Sequence, residues 1–197
     1  MPRAGLSREA VTQAALAIID DAGATGFHDL TLASVAARVG VSGPSLYKHI
    51  GSLDDLRREV ALASVRELTR MLGTATIGRA GEDAVIALAS ELRRFAERHP
   101  GRYTAAQRAG DPDDAADAEL ITAGEEAVTV IANALRGYGF TPAQAVDAIR
   151  AFRSAIHGFV LLELEGGFGL PRSLDDSFDT LTRMLTRGLA DLGTSSD

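Results

Sequence analysis

The chain has no cysteine. That absence excludes disulfides and thiolate metal sites. It has no apolar run approaching the ~20 residues that a membrane span needs. The opening Met1-Pro2-Arg3-Ala4-Gly5 leads straight into a polar helix, with no apolar signal region, so the cytoplasm is the expected compartment. Lysine is almost missing: Lys48 is the only one. One segment also lacks acids. Although the chain carries a net charge of −7, residues 31–53 contain no Asp or Glu, only Arg38, Lys48 and His49. An acid-free stretch in an acidic chain points to a phosphate-facing surface, because distribution matters more than the total. A strong bias toward arginine that leaves one lysine by chance explains Lys48 equally well.

What is present is helical. Hydrophobic content of 46% supports a globular core, and no strand alternation is visible. Ser7 caps a first helix that places Val11, Ala14, Ala15, Ile18, Ile19 and Ala22 on one face and stops at Gly23. Phe27 plugs the core after the loop. Thr31 caps a second helix over 32–39, and Gly40 breaks it. Ser42 caps a third over 43–50, and Ser52-Leu53-Asp54-Asp55 opens a fourth that runs to about Leu72. A glycine-rich linker from Gly73 to Gly81 follows. Further helices are expected over 82–98, 102–109 and 117–136, with Asp111 to Glu119 a solvated loop and helix start. Thr141-Pro142-Ala143-Gln144 is a strong start signal for a helix to Glu165. Ser173-Leu174-Asp175-Asp176 opens the last. The fold class is therefore all-α with about nine helices, and the tail 193–197 is expected to be disordered.

Residues 32–50 carry the functional signal. Two short helices meet at a tight turn. Ala36 is small where they cross, and Gly40 suits a left-handed turn residue. Val35, Val39, Val41, Leu46 and Ile50 seat the second helix. Its other face bears Gly43, Pro44, Ser45, Tyr47, Lys48 and His49, small groups first and long donors after. A recognition helix in a major groove has that order.

The stretch Leu30-Thr31-Leu32, Val35 through Ile50, and Ser52 to Leu56 resembles the TetR family of bacterial regulators. The resemblance covers about residues 7–56 and centres on Leu46-Tyr47-Lys48-His49. Pro44 stands where many members have Gly, and Gly43 has no side chain at a position that often reads a base. The resemblance implies that Thr31, Tyr47, Lys48 and His49 contact phosphates and that Ser42, Gly43, Pro44 and Ser45 lie near bases. Packing of Tyr47 and His49 against the neighbouring helices is the alternative. It also implies a DNA-binding domain over 1–52 and an effector-binding and dimerisation domain over 53–192. Further along, Ala155-Ile156-His157-Gly158-Phe159 is similar to the subgroup with Trp-His-Gly in this helix, with Ile156 in place of the Trp.

The expected function is a homodimeric, cytoplasmic, nucleoid-associated repressor. It binds a palindromic double-stranded operator and is released by a small, mainly apolar effector. Candidate effector contacts are Leu92, Phe95, Tyr103, Gln107, Phe152, Arg153 and His157, and a filled core with no pocket is the alternative. For His157, a ligand-contacting role stands against that of a core or interface histidine. Val160, Leu164, Phe178, Leu181, Leu185 and Leu189 give more apolar surface than one bundle needs and suggest a four-helix dimer interface. No cofactor, metal or membrane partner is expected. An enzyme is disfavoured: none of His28, His49, His99 and His157 follows a Glu by three, and no Ser/His/Asp order or phosphate loop occurs. A nonspecific architectural DNA binder is disfavoured by the acidic total.

Overall fold

The computed structural model describes residues 6–194. These residues form ten α-helices and no strand. They are α1 Arg8–Ala22, α2 Gly26–Asp29, α3 Leu32–Val39, α4 Gly43–Leu46, α5 Leu53–Thr76, α6 Gly81–Arg98, α7 Pro100–Ala105, α8 Ala118–Leu135, α9 Pro142–Leu164 and α10 Leu174–Thr194. Among the described residues, no helix is long and apolar enough to cross a membrane.

Caps set several of these boundaries. The Ser7 hydroxyl accepts from the Ala10 amide at 3.1 Å. Thr31 with Ser34, and Thr141 with Gln144, form reciprocal capping boxes. Gly40 ends α3 at φ 71°, in the left-handed region open to glycine.

Several boundaries differ from the sequence reading. α5 runs through Gly73 to Thr76, so the linker shrinks to residues 77–80. The last turns of α5 are held by Thr74 and Thr76 hydroxyls donating back to Arg70 and Leu72 carbonyls, and one internal glycine costs only about 1 kcal/mol. The third expected helix is α-helical only over Gly43–Leu46, and Tyr47 to His49 continue as a turn. The Ser42 hydroxyl lies 3.1 Å from that of Ser45 and caps no backbone amide. The last helix holds Gly193 and Thr194, two residues of the tail expected to be disordered; residues 195–197 of that tail lie outside the described residues.

The chain divides into two compact units. The chain up to Glu67 together with His99–Gly124 makes the N-terminal unit, and Leu68–Arg98 together with the chain from Glu125 makes the C-terminal unit. In the N-terminal unit α1 packs against α3 and α7, burying Val11, Ile19, Phe27, Val35, Leu46, Ile50 and Tyr103. Gly26 and Gly101 both press on α1: a Cβ on either would sit 2.6 or 2.2 Å from the Ile19 carbonyl oxygen. In the C-terminal unit α6 packs against α9 and α10, burying Leu88, Phe95, Phe152, Ile156 and Phe178. Each fully buried Leu, Ile or Phe contributes about 1.5–3 kcal/mol over an exposed one.

Candidate DNA interface and effector groove

α3 seats α4 through a short set of buried groups. Val35, Leu46 and Ile50 are buried, whereas Val39 and Val41 are half-buried. The Val41 amide donates to the Ala36 carbonyl at 3.0 Å, closing the turn across Gly40. The surface so presented is small and open. Gly43 and Pro44 are exposed, and a Cβ on Gly43 would meet nothing within 4 Å. Tyr47 is 58% exposed, which leaves its ring free of the packing role that was its alternative. His49 is half-buried, and its carbonyl accepts from Arg8 at 3.3 Å. The Thr31 hydroxyl is engaged in its capping box, accepting from the Ser34 amide at 3.1 Å.

Charge is distributed in an uneven way around this surface. Arg8 pairs with Asp55 and with Glu59. Arg38 pairs with Asp21 at 2.8 Å, and Arg57 donates to the His28 carbonyl at 2.7 Å. Arg58 is held by Asp54, Asp114 and Asp117. Among the described residues up to position 60, Lys48 is the only Lys or Arg whose side chain has no partner. The sequence showed Lys48 as solitary in type; the structure adds that it is solitary in electrostatics.

Asp117 departs from the solvated role expected for the acidic stretch. It is buried, bonds to Arg58 and accepts the Asp111 amide at 2.7 Å. The Arg58 guanidinium, then that amide, hold its carboxyl below the usual carboxylate range. Asp111, Asp113 and Asp114 are exposed as expected.

The seven candidate effector contacts fall in different places. Tyr103 and Gln107 belong to the N-terminal unit; Leu92, Phe95, Phe152, Arg153 and His157 belong to the C-terminal unit. Phe95, Tyr103 and Phe152 are fully buried, and Leu92 is buried, so these four are core residues of their own units. Gln107 and Arg153 are exposed, and His157 is half-buried. Burial, then the nearby Arg153 charge, push the His157 imidazole down from its usual value.

The C-terminal unit also has a groove of about 560 Å³ that contains none of the seven. It is lined from α5 by Arg70 and Met71, by Arg79 before α6, and from α6 by Ile86, Glu91 and Arg94. Sequence reasoning passed over these residues because each reads as an ordinary helix-surface position, and only the packing of α5 beside α6 brings them together. Their spacing on α6 (Ile86, Ala87, Ser90, Glu91, Arg94) is a helical stripe of mixed polarity beside the apolar one, which was the available signal. Among the described residues no group of three or more His, Asp or Glu is placed to hold a metal.

The six interface candidates divide as well. Val160, Phe178 and Leu189 are buried inside the chain's own packing, where Phe178 meets Phe159 edge-on at 5.1 Å. They are core residues of the unit and present no face to a partner. Leu164, Leu181 and Leu185 are half-buried, and the exposed large apolar residues of α9 and α10 are Met184 at 67% and Leu162 and Val146 at 46% each.

Comparison with known proteins agrees with the helix-turn-helix geometry. Residues 85–185 match the family described as tetracyclin repressor-like, C-terminal domain. The chain is 40% identical over 163 residues to an uncharacterised HTH-type transcriptional regulator of Mycobacterium tuberculosis, Rv0681, covering 83% of this chain and 72% of that protein. It is 29% identical over 189 residues to the uncharacterised HTH-type regulator YobS of Bacillus subtilis, covering 95% of each. In fold it is similar to TetR from Acinetobacter baumannii AYE, with a TM-score of 0.68 at 21% identity over 95% of this chain and 98% of that one. A variant of that protein has been crystallised in complex with minocycline. Matched through more than half its length by the family's C-terminal domain, and carrying the turn at Gly40 that presents α4, the chain belongs to the TetR family of transcriptional regulators.

Proposed function

We propose that this regulator is a homodimeric repressor that reads a palindromic operator through α3 and α4 and leaves it when the C-terminal unit takes up a small, mainly apolar molecule. TetR-family regulators bind DNA, act as dimers and bind small-molecule ligands, and they are not enzymes. The observation that carries the DNA reading is the acid-free α4 surface with Lys48 unpaired at its end. Lys48 and Tyr47 take phosphates; Gly43, Pro44 and Ser45 lie against base edges, with readout there through backbone and neighbours. Thr31, Ser42 and His49 border the same surface. The ligand reading is supported by the minocycline complex of the A. baumannii relative and by the groove in the C-terminal unit. For dimerisation, exposed Met184 and Leu162 with half-buried Leu181 and Leu185 supply the apolar face.

The symmetry follows from the dimer. Two α4 helices related by a two-fold axis enter successive major grooves about 34 Å apart. Footprinting on DNA selected by the full-length protein is expected to give inverted half-sites at that spacing. Asymmetric sites bound by single chains, or equal retention on random DNA, would overturn the reading. Met184→Glu is expected to yield monomers in sedimentation, and a dimer unchanged by it would move the interface elsewhere.

A further inference from the structure

We propose that the groove between the second half of α5 and α6 selects an amphipathic monoanion: an apolar body carrying one carboxylate or sulfonate. The inference rests on the effector reading above and names the ligand class of that reading. Its volume of about 560 Å³ is that of a small-molecule site. Met71, Ala75, Ile86 and Ala87 give it an apolar lining that an inorganic anion would not use. Its charges are three arginines, Arg70, Arg79 and Arg94, against one carboxylate, Glu91.

That carboxylate is already neutralised. Glu91 is buried, and it accepts Arg94 at 2.8 Å and Arg98 at 3.5 Å. Arg70 and Arg79 are exposed and have no side-chain hydrogen bond or ion pair among the described residues. Arg8, Arg38, Arg58, Arg66, Arg93, Arg102 and Arg108 all face acids, and among the described arginines without such a partner Arg70 and Arg79 are the ones that line this groove. A guanidinium is built to bind a carboxylate or sulfonate by two parallel hydrogen bonds. Two free guanidiniums on one apolar groove therefore favour a ligand with an anionic head and an apolar body. A neutral molecule of the same shape leaves them in water and gains only the apolar contact.

The test uses the full-length protein and two matched pairs of probes: decanoate with decan-1-ol, and 1-naphthoate with 1-naphthalenemethanol. Calorimetric titration is expected to show at least one acid binding about tenfold more tightly than its alcohol. Arg70→Gln with Arg79→Gln should erase that preference, and Arg70→Lys with Arg79→Lys should restore part of it. Both sites are exposed and unpartnered, so melting temperatures of the variants should match the parent. Should the glutamine variant fail to fold, the acid-to-alcohol ratio on the parent decides alone. Neither acid binding, alcohols binding as tightly as acids, or a preference indifferent to the glutamine variant each overturns the proposal. Operator release is measured in parallel. An acid that binds through Arg70 and Arg79 yet leaves the operator occupied refutes the effector reading and keeps the ligand class. Release by the alcohols alone does the reverse.

Discussion

In the N-terminal unit every described arginine but Arg57 faces a carboxylate; in the C-terminal unit aromatic rings fill the core. Arg58 reaches Asp54, Asp114 and Asp117, Arg102 joins Asp20 to Glu67 at 2.8 and 2.6 Å, and Arg108 meets Asp54 at 3.0 Å. By contrast Phe95, Phe152, Phe159 and Phe178 are buried in the other unit. There the Arg93 guanidinium lies 4.9 Å from the Phe178 ring centre and 5.7 Å from that of Phe159, while bonding Glu163 at 2.8 Å. The Glu163 carboxylate raises the Arg93 pKa above its usual value. The difference teaches where charge is free. A unit that neutralises its own arginines leaves its positive face to Lys48, in the turn just past α4, and its stability is exposed to acid in a way that an aromatic core is not.

The comparison can be broken at its strongest point first. Phe95→Ala should destabilise the C-terminal unit by about 4 kcal/mol in urea unfolding, since a fully buried ring is lost and a cavity left. Arg58→Met should cost about 3 kcal/mol by the same measurement, because it strands the buried Asp117 carboxylate. Adding Asp117→Asn should recover part of that loss; simple additivity would show that the pair is not the cause.

Acid sharpens the contrast. Asp117 is held below the usual carboxylate value. For Asp55, burial pushes upward, and Arg8 and the Gly51 amide prevail, leaving it lowered. Stability from such groups is present above the unfolded value near 3.8 and is lost as pH falls through the lower folded one. Amides of α1 and α3 should therefore gain exchange on acidification before those buried in α6 and α9. Simultaneous exchange would deny the difference between units. His157 gives a smaller effect in a different window. Its folded value lies below the usual 6.5, so its contribution is full above that pH and declines as pH falls through the folded value. His157→Gln should flatten the melting temperature between neutral and mildly acidic solution. Smallest for stability is Lys48→Ala, which should leave the melting temperature alone, weaken DNA binding across sequences and lower the salt slope by about one.

How much was legible follows from which forces are local. Ser7, Thr31, Gly40 and Thr141 announce helix ends because a cap is a contact within four residues, and all four sit where the sequence put them. Val35, Leu46 and Ile50 were legible as the seat of α4 by periodicity. Gly73 misled, since a glycine inside a long amphipathic helix is outvoted by packing. The ion pair of Asp117 with Arg58 joins positions 59 residues apart, and no local pattern signals it. Periodicity likewise marked Phe95, Phe152, Val160 and Phe178 as apolar without telling pocket, interface and core apart. That choice depends on which helix covers which. The groove residues stayed hidden for the same reason: Arg70 and Glu91 look like ordinary solvated charges until α5 and α6 are laid side by side.

The solitary lysine makes the protein its own reporter. An amine-acylating reagent has one side-chain amine to find on each chain, and that amine stands exposed on the surface assigned to phosphates. Acylation removes its charge without touching any arginine pair that holds the N-terminal unit together. Bound operator should shield it. The rate of that one side-chain event, counted on the peptide that carries Lys48, then measures how much of the protein is seated on DNA, and any compound that evicts it should restore the reaction.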